Sequence, residues 1–249
     1  MSIHEALLEL ADDHLVLGHR IGEWCGHAPM LEEDLAMPNM ALDLIGSART
    51  LYDHAGKLEG KGQSEDDLAY LRGEREYRNC LLVERPNEDF AHTMLRSLYF
   101  AAFMRPFWLK TLETSGDETV RGVAGKAEKE MAYHIRHAGE WVIRLGDGTE
   151  ESAARMRDAV AALHIYTDEL FESSPAAHEA EAAGMLPVRA EMRDAWDEVI
   201  GQVFAEAMLE APDVPYPQTG GRKGLHGEGL GHLLAEMQSL HRAHPGATW

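Results

Sequence analysis

The stretch Lys129-Glu130-Met131-Ala132-Tyr133-His134 comes close to a metal-binding pattern and stops short of it. Helical bundles that bind two irons send a Glu and a His inward from one helix at spacing i, i+3. They do so from two helices, and each of the other two adds a Glu. The residue three before His134 is Met131, a thioether where an anionic oxygen is needed. No Glu-x-x-His occurs anywhere in the chain, and the nearest pattern is Asp89 with His92. An earlier segment offers Asp43, then Leu44 and Ser47. A Glu-x-x-His pair placed at 44 and 47 would have lost both ligands, and Leu removes the charge that bridging metals require.

Two readings of these residues stand at this point. In one, His134, Tyr133 and Asp43 are buried polar groups satisfied by hydrogen bonds. In the other, a single metal is held by His134, His14 or His137, the first and last of which share one helix face. Asp89 at a helix start is explained by capping and the helix dipole. Cys25 and His27 could form an activated thiolate, but residues two apart diverge on a helix and no third group orients them. The segment Gly220-Gly221-Arg222-Lys223-Gly224 could cradle a phosphate, such as that of a CoA thioester, with amides and two cations. It lacks the Gly-Lys-Ser/Thr order of a P-loop, and a structural or partner-docking loop is the plainer reading.

The elements that must carry these residues are helical. Leu7, Leu8, Ala11, Leu15 and Gly18 recur at three- and four-residue steps and predict a first helix. A second helix is predicted from about 31 to 58, with Leu35, Met40, Leu42, Ile45, Ala48, Leu51 and Tyr52 facing inward. Pro38 kinks it or marks its start, and Gly56, Gly60 and Gly62 end it. Pro86-Asn87 opens the next helix, with Pro106 inside its pattern, and Gly116-Asp117 separates it from one running to Leu145. Further helices are predicted near 152–172, 188–209 and 233–242. No alternating β-branched run stands out. Helices of this length joined by short breaks predict an all-α antiparallel bundle.

Composition narrows the function. With 23 Lys and Arg against 43 Asp and Glu, the formal charge is −20, which argues against non-specific binding to nucleic acid or anionic membrane. Cys25 and Cys80 have no Cys-x-x-Cys partner, so zinc and dithiol motifs are absent. The acidic N-terminus does not read as a signal peptide. No apolar run approaches the roughly 20 residues of a membrane span, and the expected compartment is the cytoplasm.

Several segments together resemble the non-catalytic C subunits of bacterial multicomponent phenylacetyl-CoA epoxidases, which are ring 1,2-phenylacetyl-CoA monooxygenases. They are Gly22-Glu23-Trp24-Cys25-Gly26-His27-Ala28-Pro29, Leu42-Asp43-Leu44 with Gly46 and Ala48-Arg49, Leu81-Leu82-Val83-Glu84, and Lys129-Glu130 with Tyr133-His134. The tail adds Thr219-Gly220-Gly221, Lys223-Gly224-Leu225-His226, Leu234-Ala235-Glu236-Met237-Gln238 and Trp249.

The resemblance implies one ferritin-like helical domain over 1–249, with additional C-terminal helices and a Gly-rich docking segment at about 219–232. It also implies a partner, the catalytic A subunit of the same fold, whose ligand patterns resemble Asp-Glu-Ala-Gly-His and Lys-Glu-Glu-x-x-His. Against those patterns this chain carries Leu44, Ser47 and Met131 at ligand positions and keeps His134. No catalytic, cofactor-binding or metal residue is therefore carried over. The di-iron centre is expected in the A subunit, the chain in a homo- or hetero-oligomer, and a reductase on the assembled complex.

Overall fold

The computed structural model describes residues 3–247; Trp249 of the tail pattern lies outside the described residues. Ten α-helices are found among them and no strand: α1 Ile3–Gly22, α2 Leu31–Glu59, α3 Glu65–Tyr70, α4 Leu81–Glu84, α5 Phe90–Thr114, α6 Glu118–Gly146, α7 Glu150–Leu163, α8 Pro175–Ala182, α9 Arg193–Glu206 and α10 Glu228–Ala243. No helix among the described residues is long and apolar enough to cross a membrane.

The helix starts follow local chemistry. The Asp89 carboxylate accepts from the His92 amide at 3.0 Å, Asp117 from Val120 at 2.9 Å and Thr149 from Ser152 at 3.2 Å. Each cap satisfies an amide that the first helical turn leaves free. The predicted start at Pro86 therefore moves to Phe90, after its capping residue. Pro38 and Pro106 both lie inside uninterrupted helices. The segment predicted as one helix over 152–172 divides at Leu163 into α7 and a 3₁₀ stretch, His164–Phe171. Gly56 does not end α2: a Cβ there would meet the Gln63 carbonyl oxygen at 2.5 Å, so it lets the returning chain close on the helix.

Four long helices form the core. Short loops join α1 to α2 and α5 to α6, making two antiparallel hairpins that account for the two largest helix–helix packings. Pairs running Glu33–His137, Asp43–His134 and His54–Asp117 show that α2 and α6 are also antiparallel. Contacts from His14 to Phe100 and from Trp24 to Phe90 set α1 antiparallel to α5. It follows that α2 and α5 run the same way, so residues 60–89 must return along the bundle. One long crossover of this kind is the ferritin-like arrangement. α5 is buried on nearly every side, as a helix apolar all round must be.

Two expected inward residues turn outward. Leu35 is 61% exposed and Leu42 65% exposed. At about 100° per residue they lie opposite Met37, Met40, Leu44 and Leu51, which fill the core.

Buried ion pairs tie the crossover and the tail to α1. Asp12 accepts from the Arg72 guanidinium, from Tyr52 and from the Arg78 amide. The Asp13 carboxylate takes the Arg222 guanidinium with two bonds, 3.0 and 2.7 Å, and the Cys80 amide at 2.7 Å. Glu9 accepts from Ser174 and lies 3.8 Å from Arg189. Gly221 packs so closely on the crossover that a Cβ would overlap the Asn79 carbonyl. Glu169 accepts the amides of Leu81 and Gly220 at 2.6 and 2.8 Å, and Glu84 takes His226 and the Gly227 amide. The Gly-rich segment thus folds onto the chain's own bundle.

Removing one partner of a buried pair strands the other charge and costs about 3–5 kcal/mol. Arg222→Ala should lose that much in urea denaturation, whereas Lys223→Ala, at an exposed neighbour, should stay within about 0.5 kcal/mol of the parent. Equal denaturation midpoints for the two variants would contradict the pairing.

Candidate metal centre

α2 sends Leu44 and Ser47 into the bundle, α6 sends Met131 and His134, and α1 sends His14; all five are buried. The structure therefore turns the four predicted positions into the bundle interior. It fills that region with a methyl-bearing chain, a hydroxyl, a thioether and imidazoles. His14 contributes one of these: it packs edge-on to Phe100 at 5.2 Å and lies 5.7 Å from Trp108.

The polar groups pair across α2 and α6, with Asp43 between His134 and Glu130. His134 Nε2 donates to the Asp43 carboxylate at 3.2 Å. His137, one turn on, donates to Glu33 at 2.8 Å. Glu130 turns to Lys126, 2.8 Å away, and leaves its second oxygen buried and unbonded. Burial pushes the Glu130 carboxyl above its ordinary range, Lys126 pulls it back, and the neighbouring Asp43 charge adds to the rise. Asp43 thus stands between His134, to which it is hydrogen-bonded, and the Glu130 carboxyl beside it.

These residues do not fit a di-iron site. Such a site requires four carboxylates and two imidazoles. Leu44 and Met131 offer no anion. Between Phe90 and Leu112, α5 contains no Asp or Glu at all. The carboxylates that α1 buries, Glu9, Asp12 and Asp13, are engaged with Ser174, Arg72 and Arg222. A single-metal site built from His134, His14 and His137 does not form either. His134 and His137 face different carboxylates, and His14 Nδ1–H donates to the Leu10 carbonyl at 2.7 Å. Among the described residues, no group of three or more His, Cys, Asp or Glu side chains could hold a metal ion. The absence of acids from 90–112 is a signal readable in the sequence, because a carboxylate-bridged centre draws a Glu from each of its helices.

The remaining candidates resolve into structural roles. Asp89 and His92 form the α5 cap, with the ring nitrogen 2.7 Å from the carboxylate. Cys25 is exposed, and the His27 ring meets the Cys25 carbonyl oxygen at 3.1 Å, not its thiol. Arg222 is buried on Asp13, which gives this cation of the loop a structural partner within the chain. Asp13 already meets the charge of this guanidinium, which borders a cavity of about 680 Å³ that Arg72, Arg78 and Ser174 also line, and Lys223 is the loop's exposed cation.

With this geometry in place, comparison with known proteins is informative. The model of the family described as phenylacetic acid catabolic protein matches residues 2–249. The chain is also similar to an Escherichia coli strain K12 protein, the C subunit of 1,2-phenylacetyl-CoA epoxidase. The two are 42% identical over 242 residues, which covers 97% of each chain. The chain belongs to the phenylacetic acid catabolic protein family. The resemblance read from the Trp24-Cys25 loop, the 129–134 stretch and the tail thus holds at family level. In this member of the family, positions 44 and 131 of the bundle interior are held by Leu and Met, both buried.

One of those groups should be visible in the pH dependence of stability. Burial holds His14 below its ordinary value of 6.5, at about 4, against the opposing pull of the Leu10 hydrogen bond. The unfolded chain then takes up the proton first as pH falls. The stabilisation is complete above about pH 6.5 and is lost on acidification toward pH 4. The gap amounts to at most about 3 kcal/mol. Denaturation of the wild type and His14→Met at pH 7 and pH 4 should show the wild type losing more stability, by up to that amount. A difference that stays flat with pH would show that His14 titrates normally.

Proposed function

We propose that this chain is the structural, non-catalytic subunit of a multicomponent phenylacetyl-CoA ring-epoxidising monooxygenase acting in aerobic phenylacetate degradation. The observation that carries the reading is the pairing of a ferritin-like bundle with a centre whose ligand positions hold Leu44, Ser47 and Met131. The name of the relative, a 1,2-phenylacetyl-CoA epoxidase component, agrees with it. Oxygen chemistry then belongs to a sister subunit of the same fold that holds the di-iron centre, and a reductase delivers electrons to the assembled complex.

The contribution of this chain is mechanical. A buried carboxylate without a metal is costly to keep ionised. Leu44 and Met131 remove two such groups and fill the space they would leave, which favours a stiff core. His134 keeps a polar link across α2 and α6 through Asp43. A rigid bundle of this kind can hold the helices of its partner in one arrangement and limit their movement during turnover.

Co-expression with the di-iron subunit of the same enzyme tests the reading. A stable complex should form whose iron content and epoxidation activity are unchanged by His134→Ala in this chain. Stoichiometric iron on the isolated chain that His134→Ala abolishes would overturn the proposal. So would a catalytic partner that is equally soluble and active alone and forms no complex.

A further inference from the structure

The outward side of α2 carries an apolar line that the bundle does not use. Leu31, Leu35, Pro38 and Leu42 follow one another at steps of four, three and four. At about 100° per residue they fall within one narrow sector of the helix. Leu31 is 71% exposed, and Leu35 and Leu42 are nearly as open. Ile45, the next step, is partly buried against the core, and Arg49 and Asp53 beyond it are charged, so the open line ends after about three turns, roughly 16 Å. This spacing is that of the a and d positions of a heptad, where side chains of one helix enter the gaps of another. A stripe this narrow fits a single helix and is too narrow to face a broad core.

A cleft adjoins the line at its start. Met30, half exposed, borders an apolar hollow of about 290 Å³ walled by Phe90, Trp141 and Leu145. Such a hollow beside a helix seam can take one large side chain of the docking helix as an anchor.

The charges beside the line say what covers it. Glu32 and Asp34 flank its first turn, and the basic residues of α2, Arg49 and Lys57, lie beyond its end. A second copy of the chain laid antiparallel would set Glu32 and Asp34 over the stretch of α2 about Asn39, where residues 36–42 of that helix offer no cation. Laid parallel, it would set acid against acid. The net charge of −20 on each copy adds to the repulsion. A helix with an apolar seam and Lys or Arg on its flanks meets both the leucines and the acids.

We propose that the Leu31–Leu35–Pro38–Leu42 seam docks one such basic-flanked helix of the catalytic partner subunit. This rests on the subunit reading above. The seam lies on the outer side of the helix that carries Leu44 and Ser47 inward, so the partner packs directly behind the repacked centre.

The test is titration calorimetry of the purified chain against the purified di-iron subunit of the same enzyme. Leu35→Lys combined with Leu42→Lys should weaken binding at least tenfold, with helicity and Tm unchanged because both positions are exposed. Glu32→Lys, which leaves the apolar contacts intact, should weaken it by a smaller factor and reduce its sensitivity to salt. Met208→Lys and Tyr216→Lys, at other exposed apolar positions, should bind as the wild type does. Should the double Lys variant misfold, Leu42→Ala with Glu32→Lys serves in its place, with the same weakening expected. Wild-type binding that survives both sets of substitutions within twofold sinks the docking face and leaves the subunit reading standing. Failure of the wild type to bind sinks both. Sedimentation showing a wild-type dimer that the double Lys variant dissociates, with binding to the di-iron partner unchanged, would assign the seam to a second copy and overturn the proposal.

Discussion

Three buried carboxylates on the first helix, Glu9, Asp12 and Asp13, hold the rest of the molecule in register. A carboxylate taken out of water is tolerable only with a matched cation and hydrogen bonds. Each of these finds its partner far along the chain: Arg72 in the crossover, Arg189 before α9, and Arg222 in the Gly-rich tail. The crossover and tail must therefore lie where these charges are met, and the amides of Arg78 and Cys80 complete the arrangement. Apolar burial supplies most of the drive for the helices to associate. The ion pairs decide which way the connecting segments run.

The same economy explains the centre. In a metal-binding bundle the first and third long helices each turn a carboxylate inward. Here α1 sends its acids sideways to arginines, and the one acid of α5, Glu113, is exposed near its C-terminal end. With Leu44 and Met131 at the remaining positions, two fewer acids enter the centre, and the Asp43 and Glu130 carboxyls beside it are met by His134 and Lys126. The imidazoles that stay behind are accommodated singly: His14 as a neutral ring among aromatics, His134 and His137 each on its own carboxylate across the α2–α6 seam.

Much of this was legible in the residues. Helical periodicity, the breaks at Gly116-Asp117 and Gly146-Asp147, and the substitutions at Leu44, Ser47 and Met131 pointed to the bundle and to its altered centre. The facing of α2 was not legible from apolarity alone. Leu35 and Leu42 look like core residues until their angular positions are compared with Met37, Met40 and Leu44, because a helix with a second apolar stripe carries two competing signals. The short elements in 60–89 and the 3₁₀ stretch after Leu163 carry no period long enough to read. Least visible were the ion pairs. Asp12, Asp13 and Arg222 look like ordinary surface charges in sequence, and what buries them is packing between segments separated by up to 209 positions.

The span between Asp13 and Arg222 also sets an order in time. A chain is made from its N-terminus, so α1 and α2 leave the ribosome while most of the way to the matching guanidinium is still to be translated. Until Arg222 emerges, the first helix holds an ionised carboxylate without its cation, and it cannot seat fully in the bundle. The helix that is synthesised first is thus the last to be completed.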